Sequence, residues 1–324
     1  MRRRTWLRMA MLAPFTVPVS RWARAQGGGG NGRPLAWEAP PDSAYRSIAV
    51  GDLKRTYLLY EPATPVPAGG RPLIFVLHGG GGQGRSMWSF AGMNPIADRE
   101  GALVVYPDAE ARVWNVGQVS ARFRPDDVAF FGALLAAIPG AYNINPRRVY
   151  AAGISNGGMM VQRLACELTR QFAAVASIAG TLPAALGESA RPDGPLSVLV
   201  MHGTADPLVP YGGGRVMGAY GAVISAADTV RFWVAHNGCS TVPTVTGLPH
   251  LNPEDITRTQ LRTYAGGQDG SKVAFYTIQN GGHTWPGKLQ YLPADIIGPV
   301  SRDFDGSEAM WRFFDSSRNR VQGA

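Results

Sequence analysis

A serine flanked by glycines is the feature of this sequence best suited to carry chemistry. The motif Gly153-Ile154-Ser155-Asn156-Gly157 follows residues 149–152, a short apolar run that is typical of a buried parallel strand. Residues 159–168, which follow the motif, have a helix-forming composition. A strand, G-x-S-x-G and a helix in succession indicate a nucleophile elbow, which holds a serine hydroxyl ready to attack a carbonyl carbon. We therefore interpret Ser155 as a nucleophile; an ordinary glycine- and serine-rich turn is the alternative.

Backbone N–H groups near this serine could stabilise the oxyanion that such an attack creates. The helix that starts after the serine directs free N–H groups towards it, and Asn156 supplies the first of them. His78 precedes four glycines, a pattern that matches the HGGG-type loop of serine hydrolases. We predict the second donor from Gly79, Gly80 or Gly81. A phosphate-binding loop is the alternative, but the Gly-Lys-Ser/Thr ending of such loops is missing here.

An acid and a base follow later predicted strands, in the order that the nucleophile requires. Asp206 comes soon after the apolar run 198–201, and His283 lies in a glycine-containing loop after residues 275–278. A carboxylate in this position can hold an imidazole in one tautomer, and the imidazole can then take the serine proton. The chain order serine, aspartate, histidine is that of the α/β-hydrolases. We predict Ser155, Asp206 and His283 as a catalytic triad that needs no cofactor or metal.

Two tryptophans and two cysteines complete the candidate residues. Trp285 is two positions after His283, so we predict substrate contact for it, and also for Trp114; burial in the core is the alternative. Cys166 and Cys239 lack metal-ligand spacing with each other or with a histidine pair, which argues against a zinc site. They could form one disulfide or remain free thiols.

The elements that must position these residues alternate between strands and helices. Buried-strand patterns occupy residues 72–77, 103–106, 172–178, 196–201 and 272–278; helical patterns occupy 126–137, 224–237 and 307–314; two short leading strands cover 49–50 and 57–60. Such alternation implies right-handed crossovers between parallel strands. The predicted fold class is α/β, an α/β-hydrolase fold whose mostly parallel central sheet is flanked by helices on both faces.

The net charge of +8 is concentrated at the start of the chain. Residues 1–25 contain several arginines and no acids, and without them the positive and negative charges nearly balance, which argues against a nucleic-acid partner. The segment has a basic start, a short apolar stretch and Ala23-Arg24-Ala25, as an export signal does, and Arg3-Arg4 suggests the twin-arginine route. A disordered basic tail is the alternative. The apolar stretch is too short for stable membrane insertion.

The domain organisation follows from this division. We expect an export signal over residues 1–25, a flexible lead-in over 26–44, a single catalytic domain over 45–318, and a periplasmic or extracellular location.

Several longer motifs resemble the polyhydroxybutyrate depolymerase family of esterases, which also holds feruloyl and acetylxylan esterases. The resemblance spans about residues 45–315 and rests on residues 77–82, 92–98, 105–108, 126–130, 148–159, 202–206, 209–211, 237–239 and 282–287. It implies a secreted serine esterase with Ser155, Asp206 and His283 as triad. Members often have cysteines after the Trp-Asn pair, whereas this chain has Val119-Ser120 there.

The resulting hypothesis is hydrolysis of a small-molecule or oligomeric ester through an acyl-enzyme. Short hydroxyalkanoate oligomers or similar soluble esters are the expected substrates, because no substrate-binding domain of the kind that polymer-degrading members carry follows the catalytic one. A feruloyl or acetylxylan esterase is the first alternative, and a peptidase on the same fold is another. A non-catalytic exported binding protein on a hydrolase scaffold is the alternative from a different class.

Overall fold

The computed structural model describes residues 40–117, 125–218 and 221–317. The predicted export signal, most of the predicted lead-in, Val119-Ser120 and residue 318 lie outside these ranges. The strands of the described residues are β1 (Tyr45–Val50), β2 (Leu53–Tyr60), β3 (Arg71–Leu77), β4 (Leu103–Pro107), β5 (Ile144–Ile154), β6 (Ala174–Ile178), β7 (Ser197–Gly203), β8 (Gly214–Arg215), β9 (Ala222–Val223), β10 (Thr244–Gly247), β11 (Arg258–Tyr264) and β12 (Val273–Gln279).

Helices connect most of these strands. They are α1 (Gly84–Phe90), α2 (Asn94–Glu100), α3 (Asp127–Ala141), α4 (Asn156–Glu167), α5 (Ala184–Ser189), α6 (Ala226–Asn237), α7 (Ala294–Ile297) and α8 (Gly306–Asp315). Within the described ranges, no helix is both long and apolar enough to cross a membrane.

Ten of the described strands form one sheet in the order β1-β2-β4-β3-β5-β6-β7-β12-β11-β10. Neighbours from β4 to β12 along this order run parallel, and the strands at both margins run antiparallel. Every residue of β3, β4, β6 and β7 is buried, as expected for parallel strands covered on both faces. This agrees with the predicted mostly parallel sheet.

The core lies on the two faces of this sheet, because successive side chains of a strand point to opposite sides. Along β3, Phe75 belongs to one apolar cluster with Phe131 and Trp233, whereas Ile74 belongs to the other with Trp311. The helices α3, α4 and α6 thus cover one face, and α1, α2 and α8 cover the opposite one. The arrangement fixes the parallel strands firmly, so their carboxyl ends form a rigid edge for a site.

Both cysteines of the chain are free thiols in the structure. Cys166 lies near the end of α4 and Cys239 follows α6, and both are buried. The disulfide left open by the sequence is therefore not formed.

Candidate active site

Ser155 occupies a strained turn between β5 and α4. Its backbone has φ 58° and ψ −126°, a conformation that side-chain-bearing residues rarely adopt and that costs about 1–3 kcal/mol. The neighbouring glycines make the turn possible. A Cβ on Gly153 would lie 2.6 Å from the backbone of Gly157, and a Cβ on Gly157 would lie 2.4 Å from the carbonyl oxygen of His78. The structure therefore has the nucleophile-elbow geometry that the motif indicates.

Asp206 and His283 meet at the same edge of the sheet as Ser155. Asp206 follows β7 and His283 follows β12, and these two strands are parallel neighbours. His283 Nδ1–H donates a hydrogen bond of 2.7 Å to Asp206 Oδ2, and both side chains are buried. Because a carboxylate only accepts, the bond keeps the proton on Nδ1 and leaves Nε2 as an acceptor. This tautomer is the one a general base needs.

The carboxylate of Asp206 has further partners besides His283. Its Oδ1 accepts from the N–H groups of Leu208 and Val209 at 2.8 and 2.9 Å. His202 Nε2 lies 3.4 Å from Oδ2 and 2.9 Å from the carbonyl oxygen of Val209. Burial alone would raise the pKa of the Asp206 carboxyl, but His283 and His202 outweigh it and lower that pKa below its ordinary value. The carboxylate therefore stays ionised beside the imidazole.

A tyrosine side chain forms a hydrogen bond to the backbone of the loop that carries His283. Tyr291 O–H donates to the carbonyl oxygen of His283 at 2.8 Å, and its ring packs edge-on against Phe90. The N–H of His283 donates to the carbonyl oxygen of Ile297. Sequence reasoning did not find Tyr291, because a contact from a side chain to a backbone carbonyl leaves no motif.

Ser155 itself is partly exposed at this edge. Its hydroxyl forms no hydrogen bond within the described residues, whereas its N–H donates to the carbonyl oxygen of Ile178 at 2.9 Å. The structure thus brings the serine and the Asp206–His283 pair to one sheet edge without a closed serine–histidine hydrogen bond. Such bonds are often open in proteins without substrate.

Two of the predicted oxyanion donors, Asn156 and Gly79, lie beside Ser155. Asn156 begins α4, so its N–H is among the helical groups without an intrahelical partner. Gly79 is close to the serine, since a Cβ at this position would be 3.3 Å from Ser155 Cβ. Gly81, however, donates its N–H to the carbonyl oxygen of Arg112 at 2.8 Å. The N–H of Gly81 is therefore already bonded, which leaves Gly79 and Gly80 as the candidates for the second donor.

His78 fixes the shape of the glycine loop, defined here as residues 78–82. The N–H of Ala109 donates to His78 Nε2 at 3.1 Å, so Nε2 carries no proton. The proton is then on Nδ1, which donates to the carbonyl oxygen of Gly79 at 2.7 Å. Burial lowers the pKa of His78 below its ordinary value, which favours this neutral form.

Both tryptophans that we predicted to contact substrate are fully buried. Trp285 Nε1–H donates to Ser307 Oγ at 3.0 Å, and its ring packs against Phe90. Trp114 Nε1–H donates to the carbonyl oxygen of His78 at 2.9 Å. The prediction is corrected, because neither indole offers exposed surface and each N–H is bonded inside the protein. Proximity along the chain to His283 did not imply proximity to substrate.

Comparison with known proteins finds esterases that are similar to this chain. The model of the family described as Esterase PHB depolymerase matches residues 55–232. NocK of Nocardia uniformis subsp. tsuyamanensis, named as an esterase, is 35% identical over 313 residues, which cover 92% of this chain and 88% of NocK. Feruloyl esterase C of Emericella nidulans is 28% identical over 246 residues, which cover 71% of this chain and 82% of that protein.

A solved structure has a similar fold. Acetyl xylan esterase from Aspergillus awamori superposes with a TM-score of 0.56 and 14% identity, covering 84% of this chain and 99% of that one. At this identity the likeness concerns the fold alone, and it confirms the predicted α/β-hydrolase class. The sequence comparisons confirm the family resemblance carried by the motifs.

Proposed function

The chain belongs to the PHB depolymerase family of esterases and is a carboxylic ester hydrolase, and from this premise we propose that Ser155, His283 and Asp206 carry out the hydrolysis. The observation that carries the proposal is the 2.7 Å bond from His283 to Asp206 at the sheet edge that also holds the strained Ser155. Side chains of these three types, in this chain order, perform acyl transfer in serine hydrolases.

The first half-reaction forms an acyl-enzyme. Ser155 Oγ bonds to the ester carbonyl carbon while its proton passes to His283 Nε2, and the carbonyl electron pair moves onto the oxygen. When the carbonyl re-forms, the bond to the alcohol oxygen breaks and the alcohol leaves with the proton from Nε2. Asp206 holds the imidazole in its tautomer and stabilises the transient imidazolium.

The second half-reaction repeats these steps with water. Water gives a proton to His283 Nε2 as its oxygen attacks the acyl carbon, and Ser155 Oγ then leaves and regains that proton. In both halves the oxyanion is stabilised by the N–H of Asn156 and by one N–H from Gly79 or Gly80. The products are a carboxylic acid and free enzyme, so the cycle closes without a further reactant.

Replacement of the nucleophile tests the proposal. We expect Ser155→Ala to lower kcat for p-nitrophenyl butyrate by about 10⁶-fold, with an unchanged unfolding midpoint, because alanine keeps the Cβ and therefore the backbone strain of this turn. A fluorophosphonate should label the wild-type chain once, at Ser155. Ser240→Ala, at an exposed serine in the turn after α6, is the control and should keep both rate and labelling. Hydrolysis by Ser155→Ala at more than a small residual rate would contradict the assignment.

The proposed substrates are short hydroxyalkanoate oligomers or similar soluble esters. The match to the PHB depolymerase family supports an acyl group of this kind. Feruloyl or acetylxylan esters are a second candidate class, and the name of the Emericella protein favours the feruloyl esters. Measurement of kcat/KM on 3-hydroxybutyrate oligomers, methyl ferulate and acetylated xylan, beside erosion of crystalline polymer, separates the classes. Faster attack on the crystalline polymer than on the oligomers would contradict the proposal.

We also propose that the chain is exported and that residues 45–318 form one catalytic domain. The basic and apolar pattern of residues 1–25 supports export. N-terminal sequencing of exported protein should give a start near Gln26. Replacement of both Arg3 and Arg4 by lysine should block export if the twin-arginine route is used. Exported protein with an intact Met1 would contradict the signal assignment.

A further inference from the structure

Trp114 contacts both elements that supply the proposed oxyanion donors. From its ring, Nε1–H donates to the carbonyl oxygen of His78 at 2.9 Å. From its backbone, the N–H of Trp114 donates to Asn156 Oδ1 at 2.7 Å, and Asn156 Nδ2 donates back to the carbonyl oxygen of Trp114 at 3.3 Å. One buried residue is thus bonded to the glycine loop on one side and to the first residue of α4 on the other.

The ring of Trp114 also fills the space beside the glycine loop. It stacks at a tilt on the imidazole of His78, with ring centres 4.9 Å apart, and packs against Phe131 at 5.7 Å. The imidazole is the group whose hydrogen bonds to Ala109 and Gly79 shape the loop. Loss of the indole would therefore free the loop in two ways, through the carbonyl of His78 and through its ring.

The backbone of the next residue, Asn115, is itself anchored, so Trp114 is a fixed point. Its N–H donates to Asp127 Oδ2 at 2.7 Å, and its carbonyl oxygen accepts from Arg163 Nη1 at 2.7 Å. Asp127 is in turn paired with the buried guanidinium of Arg55 at 2.6 Å. Because these bonds hold the backbone next to Trp114 in place, its indole can fix the positions of the groups that it contacts.

We propose that Trp114 is the positioning residue of the oxyanion hole, which sets the distance between the N–H of Asn156 and the donors of the glycine loop. The proposal rests on the proposed function, since it takes Ser155 as the nucleophile that this hole serves. Oxyanion donors act only when they lie about 2.7–3.1 Å from the developing oxygen, so a shift of a few tenths of an ångström in either element weakens catalysis. Trp114 acts through these donors and does not touch the substrate.

The test compares two buried tryptophans. Trp114→Phe removes the indole N–H and part of the ring, and should lower kcat for p-nitrophenyl butyrate about 10- to 100-fold while KM changes less than about threefold. Inhibition by an aryl boronic acid, whose adduct with the serine places an oxygen in the hole, should weaken in parallel. Trp233→Phe is the matched control, because Trp233 is equally buried and its Nε1–H is bonded at 2.7 Å to Gln162, which lies within α4 and not at its first residue.

A merely structural role for Trp114 predicts a different result. In that case both variants would lose stability in urea unfolding and both would keep their kcat, which overturns the proposal. Asn156→Ala removes the side-chain hydrogen bonds to the backbone of Trp114 but keeps the N–H of residue 156. It should lower kcat with little change in KM, as Trp114→Phe does. If Trp114→Phe does not fold, Asn156→Ala tests the proposal in its place. Failure of the proposed function is distinguishable, because Ser155→Ala would then remain active.

Discussion

The two halves of the site are held in different ways. In the acid–base half, one hydrogen bond of 2.7 Å joins the side chains of His283 and Asp206, and the groups proposed to act in the reaction belong to those side chains. In the oxyanion half, the proposed donors are backbone N–H groups. Side chains such as His78 and Trp114 position this backbone through hydrogen bonds to its carbonyl groups. The first half depends on residue identity at a few positions, whereas the second depends on the placement of main chain by its surroundings.

This difference predicts how substitutions in each half change activity and stability. A wrong side chain in the acid–base half removes a reacting group or its tautomer, so activity should fall steeply while the fold persists. A wrong side chain in the oxyanion half moves donors by fractions of an ångström, so activity should fall less and stability should fall with it. Variants in each half can test that contrast.

After loss of the nucleophile itself, Asp206→Asn should have the largest effect. An amide at this position no longer forces the proton of His283 onto Nδ1, and comparable changes lower kcat by about 10⁴-fold. Asp303→Asn is the matched control, because Asp303 is a buried carboxylate 3.0 Å from His250 Nδ1 and has no proposed part in the reaction. Steady-state kinetics on p-nitrophenyl butyrate should give a kcat within about threefold of wild type for the control. Equal losses in the two variants would contradict the proposed role of Asp206.

The same contrast explains what the sequence could predict. Ser155, Asp206 and His283 could be named as candidates because reactive side chains follow apolar strand patterns in a characteristic order. The choice among the loop glycines could not be made, because the sequence does not distinguish one from another, and only the structure shows that the N–H of Gly81 donates to the carbonyl oxygen of Arg112. Trp114 was misassigned because its sequence position carries no information about which carbonyl its N–H reaches.

The sequence predicted the strands that are buried on both faces of the sheet. It did not predict strands that are buried on one face or exposed. Strands such as β3 and β7 are continuous apolar runs and were placed within a few residues. The strands β10 and β11 were not predicted, because β10 is exposed throughout and β11 is mostly polar. The seven-residue helices α1 and α2 also escaped prediction, since two turns are too few to establish a periodicity.

Gly157→Ala should break the oxyanion half without touching a reacting side chain. The added Cβ would lie 2.4 Å from the carbonyl oxygen of His78, so the glycine loop and α4 must separate. We expect a stability loss of about 1–3 kcal/mol in urea unfolding, and a fall in kcat of up to about 100-fold. Gly132→Ala in α3, where a Cβ meets nothing within 4 Å, should gain up to about 1 kcal/mol and keep its activity. Wild-type stability and rate in Gly157→Ala would contradict this packing.

His78→Gln should change how stability depends on pH. Burial lowers the pKa of His78 below its ordinary value of 6.5. Below pH 6.5 the imidazole is therefore protonated in the unfolded chain but stays neutral in the native state. The free energy of unfolding of the wild type should therefore fall as pH decreases through 6.5, and fall less in the variant. Urea unfolding of both proteins from pH 8.5 to 5 checks this, and the difference between them should be constant above about pH 7.5. Parallel curves over the whole range would contradict a neutral buried His78.

The smallest effect, close to none, is expected from reducing agent. Cys166 lies in α4, the helix that also presents the N–H of Asn156, so a disulfide to Cys239 would add a covalent brace to the oxyanion half. Both thiols are free and buried in the structure, and burial raises the pKa of Cys166 to about 12. A disulfide-exchange reagent at pH 8 should therefore react slowly with the native protein and titrate two thiols after unfolding without reduction, and dithiothreitol should leave the melting temperature and kcat unchanged. A melting temperature that falls on reduction would mean that the oxyanion half is braced covalently after all, and its contrast with the hydrogen-bonded acid–base half would then need a different physical basis.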